Sequence, residues 1–292
     1  MATLEGRAVL ITGASGAIGA EAARRLGAAG ARLALSARRE ERLSAVAEEI
    51  AGTGATRPVV LAADLGRRGE AARLANRALE ALGDVDVLVN NAGASLQGLS
   101  WVVGDRDEAR AVVETNLWSP LALVAALTPS MVERGDGAIV NVGSMARVSP
   151  FPHLGHYAAS RAALALSTEV LGMELRPRGI RVVEVALGPV DTPSSRENRV
   201  LAGADRWLDG RPGVGDVPSA AEAIVAAARG DAGSVVFYPR VLRWPHRLPG
   251  LGRRYARRMA RHADLHDETV RVGGSAGDPE LRALHEGPDG PP

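Results

Sequence analysis

The 292-residue sequence predicts an α/β fold: one domain built on a doubly wound parallel sheet of about seven strands, with a C-terminal extension. Short runs rich in Val, Leu and Ile alternate with longer stretches rich in Ala, Arg and Glu that have a helical period. This alternation continues almost to residue 238, and the chain is long enough to bury one large core. The predicted strands span residues 8–12, 32–36, 59–62, 85–89, 138–142, 181–185 and 234–237.

The composition restricts the classes of function. Cysteine is absent, which excludes a disulfide framework, a thiolate metal site and a cysteine nucleophile, and suits a reducing cytoplasm. A net charge of +1 and an aromatic content of 3% argue against a nucleic-acid-binding surface. No metal-ligand spacing is present, and we see no leader segment and no apolar run near the roughly 20 residues of a membrane span. We therefore expect a cytoplasmic protein without a metal or a nucleic-acid partner.

The first predicted strand leads into a glycine-rich loop and then an alanine-rich helix. Gly13, Gly16 and Gly19 let the chain turn sharply, bring backbone N–H groups close to a pyrophosphate, and let the helix pack against the strand. Ser15 and Ile18 belong to the same loop. A loop after a strand and before a helix is typical of a Rossmann-type dinucleotide site, whereas a chance glycine-rich turn is the alternative.

The end of the second predicted strand indicates which dinucleotide would bind. An NAD site carries an acidic residue there, about 20 residues beyond the loop, to bind the ribose hydroxyls. This chain instead has Arg38 and Arg39, whose guanidinium groups can pair with the 2′-phosphate of NADP. NADP(H) is therefore preferred, with NAD(H) as the alternative. The two residues could also be an exposed arginine pair at a helix start.

Five further motifs follow in a fixed order, and together they resemble the short-chain dehydrogenase/reductase family. They are Asn90-Asn91-Ala92-Gly93, Asn116, Asn141-Val142-Gly143-Ser144, Tyr157-Ala158-Ala159-Ser160-Arg161 and Gly188-Pro189-Val190-Asp191-Thr192. Each motif alone is a weak signal, but all of them occur in the family's order. The resemblance covers about residues 7–238.

The resemblance implies roles for individual residues. Asn116, Ser144, Tyr157 and Arg161 would form the catalytic group, Asp64 would bond the adenine, and the turn after the fourth strand would line the adenosine ribose and steady the central strands. The implied cofactor-binding residues beyond the glycine loop and the arginine pair are Asp64, Asn90, Ala92, Gly93, Tyr157, Arg161, Gly188, Pro189, Val190 and Thr192. Family members often pair through the helix predicted at 155–176, which implies a homodimer or homotetramer.

The chemistry also follows from the residue types. Reducing a carbonyl requires a hydride at carbon and a proton at the developing alkoxide oxygen. A phenol such as that of Tyr157 donates this proton more readily when a nearby cation stabilises the phenolate. Position 161 lies one helical turn beyond Tyr157 on the same face of the helix, so Arg161 can supply this cation. Ser144 can donate a hydrogen bond to the oxygen that takes part in the proton transfer and orient the substrate.

Two departures from the family pattern leave two hypotheses. All 35 basic residues are arginine, so Arg161 stands where the family has lysine, and arginine keeps the charge but does not relay a proton. The glycine spacing also differs, because the family's common branch has glycine at the position of Ala17 rather than at Gly16. One hypothesis is an NADPH-dependent carbonyl reductase or alcohol dehydrogenase with Tyr157 as general acid/base. The other is a dinucleotide-binding protein with weakened chemistry that acts as a sensor or a partner subunit.

The composition changes after residue 239, which separates the predicted catalytic domain, 1–239, from an extension, 240–292. Residues 240–262 carry eight arginines and no acid, whereas residues 263–292 carry seven acids and two arginines. We predict a basic amphipathic segment, with an apolar stripe of Leu251, Tyr255 and Met259, followed by an acidic disordered tail. Weak contact with a membrane surface, docking on a partner subunit and docking on the acidic tail are the alternatives for this segment.

The substrate is expected to be a small-molecule carbonyl or alcohol bound between two loops, 94–105 and 190–217, of which the second resembles a lid. The side chains predicted to form an apolar pocket are Leu96, Leu99, Trp101, Trp207 and Leu208. His153 and His156 precede Tyr157 and either contact the substrate or are solvated at a helix start. Neither the substrate nor the direction of the reaction follows from these residues.

Overall fold

A computed structural model describes residues 3–148, 151–193, 195–196, 214–260, 263 and 265–273. Its strands are β1 (Ala8–Thr12), β2 (Arg32–Ala37), β3 (Val59–Ala62), β4 (Val87–Asn90), β5 (Ser95–Gln97), β6 (Gly137–Ser144), β7 (Ile180–Leu187), β8 (Val235–Tyr238) and β9 (Arg271–Gly273). Seven of them form one sheet in the order β3-β2-β1-β4-β6-β7-β8, and every neighbouring pair is parallel. The predicted Rossmann-type fold is therefore confirmed.

Helices occupy the crossovers between these strands. They are α1 (Ala17–Ala28), α2 (Glu40–Gly52), α3 (Glu70–Leu82), α4 (Ser100–Val103), α5 (Asp107–Val113), α6 (Ser119–Arg134), α7 (Gly155–Leu175), α8 (Val217–Arg229), α9 (Arg243–Arg247) and α10 (Pro249–Met259). A π-helical turn, Glu114–Trp118, joins α5 to α6, and 3₁₀ turns occupy Met145–Arg147, Arg176–Arg178 and Arg240–Leu242.

The sheet is covered on both faces, which explains why its strands are almost continuously apolar. In β1, Val9 and Ile11 point to the core shared with α1, α2 and α8, whereas Ala8 and Leu10 point to the core shared with α3 and α6. The chain turns back across the sheet next to β1, so that β2 and β3 lie on one side and β4 on the other. Ligands of such folds bind at the carboxyl ends of the strands beside this reversal.

The helical run from Asp107 to Arg134 corrects one expectation, because it is long and apolar enough to cross a membrane by length and composition. The sequence analysis found no such segment. The run begins with acidic residues, and its inner face carries Leu123, Leu127 and Met131 of the core. Its apolar composition is thus that of a helix packed against the sheet.

Part of the segment predicted to be a disordered tail is ordered. Residues Arg271–Gly273 form β9, which pairs antiparallel with β5. Two side chains of the returning chain, Val270 and Val272, pack against a small apolar cluster that includes Leu96 and Val103. The acidic composition did not reveal this strand, because its stability comes from an edge that lies far away in the sequence. Residues 274–292 lie outside the described part of the chain.

One face of α7 carries an exposed apolar stripe. Leu166, Val170 and Met173 are spaced four and three residues apart and point away from the sheet. We call these three side chains the α7 stripe.

Candidate active site

The glycine loop after β1 has two glycines that the packing requires and one that it does not. Gly13 has a φ of +67°, and a Cβ there would stand 2.8 Å from the Cα of Ala92. A Cβ on Gly19 would overlap the carbonyl oxygen of Gly13. A Cβ on Gly16, in contrast, would meet its nearest atom at 3.4 Å. Packing therefore explains why residues 13 and 19 are glycine. Gly16 has no such packing constraint, and its lack of a side chain leaves an exposed space at the N-terminus of α1.

This exposed space fits a pyrophosphate. Helix α1 begins directly after Gly16, and no side chain caps its first turn. Gly16 and Ala17 are exposed, while Ser15 and Ile18 are partly buried beside them. An uncapped helix N-terminus presents N–H donors and a partial positive charge, which favour an anion.

The turn after β4 is fixed to the glycine loop by two residues that the sequence analysis did not single out. The hydroxyl oxygen of Thr12 accepts hydrogen bonds from the backbone N–H groups of Asn91, at 3.1 Å, and Ala92, at 3.0 Å. The side-chain amide of Asn91 donates to the carbonyl oxygen of Thr12, at 2.9 Å. Asn91 belongs to the motif quoted above, so the sequence did contain a signal for it.

The Asn90 side chain is buried and connects neighbouring strands. It donates to the Oδ1 atom of Asn141, at 2.9 Å. Asn141 in turn donates to the hydroxyl of Thr168 on α7, also at 2.9 Å. Asn90 therefore links β4 to β6 and, through Asn141, to α7. The ribose contact implied for this turn stays a prediction, and it falls to the backbone and to the neighbouring Ala92 and Gly93.

The residues predicted for the adenosine end lie at the carboxyl ends of β2 and β3. Ser36 accepts a backbone hydrogen bond from Ala14, at 3.1 Å, so the end of β2 lies beside the glycine loop. Arg38 follows β2 and is exposed, and Arg39 is the residue that precedes α2. The Asp64 carboxylate, just beyond β3, accepts the N–H of Gly66 at 3.1 Å and lies near the guanidinium of Arg67.

Asn116 lies fully buried in the π-helical turn. Its amide group accepts the N–H of Ala94, at 2.9 Å, and donates both to the carbonyl of Ala94, at 2.8 Å, and to the hydroxyl of Ser160, at 3.0 Å. The Ser160 hydroxyl donates to the carbonyl of Tyr157, at 2.8 Å. Asn116 therefore joins the loop after β4 to the first turns of α7. Ser160 is a further site residue that the sequence analysis did not assign.

Arg161 packs against Tyr157 as the helical spacing predicts. Its Cζ atom lies 5.4 Å from the centroid of the tyrosine ring, and its Nη1 donates to the carbonyl of Val142, at 3.1 Å. The Nη2 atom occupies the space that a Cβ on Gly93 would need. Tyr157, Arg161, Asn116 and Gly93 are thus neighbours in three dimensions.

The Arg161 guanidinium has unused hydrogen-bonding capacity. The residue is 7% exposed, and its Nε atom is buried without a hydrogen-bond partner. No carboxylate in the described part of the chain pairs with it. Buried cations are ordinarily paired or fully hydrogen-bonded. The arrangement therefore fits a bound group that offers hydroxyl or phosphate oxygens, as a dinucleotide does.

Ser144 is the last residue of β6, and its hydroxyl oxygen accepts the N–H of Ala146, at 3.1 Å. Among the described residues, the Ser144 hydroxyl makes this hydrogen bond and does not bond the Tyr157 side chain directly. The register pairs Ser144 with Leu187, the last residue of β7. Ser144 is thus placed beside the segment that follows β7.

A buried ion pair supports the turn after Ser144. Arg147 Nη2 lies 3.1 Å from the carboxylate of Glu184 on β7, and 3.3 Å from the Nδ1 atom of His246 on α9. Burial raises the pKa of Glu184, an effect that Arg147 opposes. Burial, reinforced by Arg147, lowers the pKa of His246, so the ring is neutral near pH 7 and can accept the arginine's hydrogen bond. The sequence analysis missed this network.

The segment after β7 starts from backbone hydrogen bonds. Gly188 donates to the carbonyl of Tyr238, at 2.7 Å, and the carbonyl of Pro189 accepts the N–H of Gly215, at 2.8 Å. Val190 is buried, and Thr192 donates its N–H to the carbonyl of Val190, at 2.9 Å. These residues lie at the same edge of the sheet as Ser144. Most of the predicted lid, residues 194 and 197–213, lies outside the described residues.

The predicted apolar pocket needs correction. Leu96 and Leu99 are buried, and Leu96 belongs to the apolar cluster beneath β9, so the Leu96 side chain serves packing. Trp101 is exposed, and Trp207 and Leu208 lie outside the described residues. The physical reason is that the returning strand β9 covers this loop, which the sequence analysis left open to substrate.

The two histidines before Tyr157 hold the same loop. His153, which has a φ of +64°, accepts the N–H of Gly98 on its carbonyl, at 3.0 Å. The Nε2 atom of His156 lies 2.7 Å from the carbonyl oxygen of Gly104. Both residues therefore connect the loop 94–105 to the start of α7. No group of three or more His, Asp or Glu side chains suited to a metal ion occurs within the described ranges.

Comparison with known proteins identifies the family of this chain. A family model described as short chain dehydrogenase matches residues 7–200, about two thirds of the chain. The chain is 38% identical over 210 residues to dehydrogenase/reductase SDR family member 7B of Mus musculus, covering 70% of this chain and 64% of that protein. The match thus spans less than two thirds of the length of the mouse protein.

Two further matches are informative. A fatty acyl-CoA reductase of Mycobacterium tuberculosis is 32% identical over 256 residues, covering 86% of this chain and 83% of that protein. The solved structure of a short-chain dehydrogenase from Sphingobium yanoikuyae, in complex with NADPH, superimposes with a TM-score of 0.70 at 30% identity. That match covers 84% of this chain and 93% of the other.

Proposed function

Because this chain belongs to the short-chain dehydrogenase/reductase family, whose fold binds nicotinamide dinucleotides, we propose that it is an NADPH-dependent oxidoreductase that interconverts a carbonyl and an alcohol. The observation that carries the proposal is the packing of the Arg161 guanidinium over the ring of Tyr157, next to Asn116 and Gly93. A phenol meets there a buried cation that pairs with none of the described carboxylates, at the carboxyl ends of the parallel strands.

The glycine loop would hold the pyrophosphate, and Arg161 and the segment 188–192 would hold the nicotinamide half. A bound nicotinamide supplies a hydride to the carbonyl carbon. The preference for NADPH rests on Arg38, which is exposed just after β2, where an NAD site would carry an acidic residue. The structural relative that contains NADPH supports this preference.

Tyr157 would donate the proton that neutralises the developing alkoxide. As the carbonyl carbon becomes a CH–OH carbon, the phenolic proton passes to the oxygen and a phenolate is left on Tyr157. The nearby positive charge of Arg161 favours that phenolate, since an opposite charge within a few ångströms stabilises the ionised form. Asn116 would act as a positioning residue, because it reaches the backbone of Tyr157 only through Ser160.

The substrate proposed first is a carbonyl compound with a long acyl chain. The similarity to the fatty acyl-CoA reductase covers 86% of this chain, more than the predicted domain 1–239 alone could supply. It therefore includes part of the extension. A panel of long-chain aldehydes and acyl-CoA thioesters, beside short aldehydes and ketones, tests this choice by NADPH consumption.

Replacing Tyr157 with phenylalanine tests the proposed acid. We expect turnover to fall by about 100-fold or more, since general acid catalysis contributes about 10²–10⁴ in rate, while the dissociation constant for NADPH changes little. Tyr238→Phe is the matched control, because its phenol bonds Asp216 and not a residue of the predicted catalytic group. Unchanged turnover in Tyr157→Phe would refute the assignment.

Replacing Arg161 with lysine separates the two hypotheses for this site. If proton resupply limits an active enzyme, lysine should raise kcat, because it can exchange a proton and arginine cannot. If the guanidinium is needed to bond Val142 and order Tyr157, kcat should fall. A chain that binds NADPH but turns over no substrate in either form would support a sensor or partner-subunit role.

The setting of the enzyme is part of the proposal. The absence of cysteine supports a cytoplasmic location. The α7 stripe supports a homodimer or homotetramer, since three exposed apolar side chains on one helix face are suited to burial against a second copy.

A further inference from the structure

The start of the C-terminal extension packs against the predicted active site with one of its faces. Leu242 lies against Gly188, where its Cδ1 atom would overlap a Cβ on the glycine. His246 lies beside Arg147, and its ring centroid is 4.8 Å from that of Phe237. These contacts attach the extension to the segments that follow β6 and β7 and to strand β8 itself. The inner face of the extension is therefore packed against the predicted catalytic domain.

The opposite face of the same stretch is apolar and exposed. Val241, Trp244 and Leu248 are 55%, 52% and 50% exposed. Their spacing of three and four residues places them on one side of the short helical turns. Because the inner face is packed by other residues, the fold does not require large apolar side chains here. An apolar surface of this kind indicates an interaction site.

Arginines surround this apolar surface. Arg240, Arg243 and Arg247 alternate with the three apolar residues, and all three are exposed. The Cζ atom of Arg243 lies 5.4 Å from the ring of Trp244. Helix α10 adds four more exposed arginines, Arg253, Arg254, Arg257 and Arg258. None of these seven guanidinium groups pairs with a described carboxylate, and residues 240–262 contain no acid.

We propose that this outer face of the extension, formed by Val241, Trp244 and Leu248 with the surrounding arginines, docks on an anionic lipid membrane. Apolar and aromatic side chains enter the interface between headgroups and acyl chains, while arginines pair with anionic headgroups. This combination of a small apolar area with many unpaired cations fits a charged lipid surface. The proposal does not depend on the proposed reaction.

A second copy of the chain fits this face poorly. A two-fold interface brings the same patch together from both protomers, so Arg240, Arg243 and Arg247 would face the same three arginines of the other copy. Like charges brought together in this way repel one another and disfavour the contact. The α7 stripe, which has no comparable arginine cluster, is better suited to pairing. The apolar stripe predicted at Leu251, Tyr255 and Met259 stays a prediction, because these side chains lie outside the described part of the chain.

Docking has a geometric consequence for the active site. The inner face of the same stretch contacts the turn after Ser144 and the glycine after β7. A membrane bound to the outer face would therefore lie on the side of the molecule where the carboxyl ends of the strands emerge. That edge holds the predicted catalytic group.

Vesicle binding of the full chain tests the proposal. The probes are vesicles of phosphatidylcholine with phosphatidylglycerol, and of phosphatidylcholine alone, at low and physiological salt. We expect sedimentation with the anionic vesicles, weakened by salt, and little with the neutral ones. In a chain whose other tryptophans are replaced by phenylalanine, the fluorescence of Trp244 should shift to the blue on binding.

Paired variants locate the contact. Arg243→Gln with Arg247→Gln should lower the partition coefficient by about 25-fold, at about fivefold for each arginine. Trp244→Ala with Leu248→Ala should lower it by about tenfold or more. The controls are Arg42→Gln with Arg178→Gln, which removes two exposed arginines elsewhere, and Val235→Ala, which removes an exposed apolar side chain at the amino end of β8.

Several results would overturn the proposal. They are failure to sediment with anionic vesicles at low salt, equal binding to both kinds of vesicle, and equal loss in the variants and their controls. A fall in the solution mass of the protein on Trp244→Ala would also overturn it, since the face would then be an interface between copies of this chain.

Discussion

Replacing Arg147 with methionine should leave a carboxylate without its partner in the protein interior. The exchange removes the cation that lies 3.1 Å from Glu184 and keeps much of the side-chain volume. The Glu184 side chain is only 4% exposed, so water cannot replace the lost partner. Breaking a buried pair in this way costs about 3–5 kcal/mol of unfolding free energy. At about 2–4 °C per kcal/mol, the Tm should fall by about 6–20 °C.

The cost should depend on pH in a defined direction. Burial raises the pKa of Glu184 above its ordinary value of 4.5, so the folded state binds a proton more readily than the unfolded chain. Loss of Arg147 removes the effect that opposes this rise. Protonation neutralises the unpaired carboxylate. The difference in stability between the wild type and Arg147→Met should therefore shrink as the pH falls from 7 toward 4.5.

Urea denaturation followed by circular dichroism, at pH 7 and pH 5.5, measures both effects. In a Glu184→Gln background the same exchange should cost only about 1–3 kcal/mol, because a neutral amide replaces the charge. The matched control is Arg110→Met, which breaks an exposed pair with Asp105 and should cost about 1 kcal/mol or less. Equal costs in the two backgrounds, at both pH values, would refute this reasoning.

Three further predictions concern the cofactor site and the assembly. Gly19→Ala should lower the free energy of unfolding by about 1–3 kcal/mol, because the new Cβ would overlap Gly13. Gly16→Ala should leave the stability of the protein unchanged and weaken NADPH binding. Denaturation measures the first effect and calorimetric titration the second. Arg38→Ala should weaken NADPH binding by about tenfold or more and leave NADH binding unchanged, and equal effects on both would contradict the 2′-phosphate assignment. Met173→Arg, in the α7 stripe, should reduce the mass seen by light scattering, and an unchanged mass would place the subunit contact elsewhere.

The sequence predicted those parts of the fold whose signals are local. Each strand of the large sheet is a short apolar run, and β1 and β3 were predicted with their observed bounds. The glycine loop was predictable because a strand, three glycines and a helix follow one another within a dozen residues. The pairing of Tyr157 with Arg161 was predictable for the same reason, since helical spacing alone sets it.

Contacts between distant segments were not predictable from one sequence. Arg147 and Glu184 lie in different segments, and neither has a pattern that indicates its partner. The direction of the Asn90 side chain depends on the register of β4 and β6. Leu96 was assigned to a pocket because its covering strand is only three residues long and lies in a segment of acidic composition. Composition indicates how a segment behaves in isolation, whereas β9 is ordered by pairing with β5, which is far away in the sequence.

The pairing of β9 with β5 means that the compositional boundary at residue 239 is not a safe place to cut this protein. A chain shortened there would lose the second strand of the small sheet and expose the hydrogen-bonding edge of Ser95–Gln97. Unprotected edges of this kind recruit other strands and promote aggregation. Shortened forms should therefore be prone to self-association, and a bulky fusion partner attached near Gly273 could disturb the loop beside the start of α7.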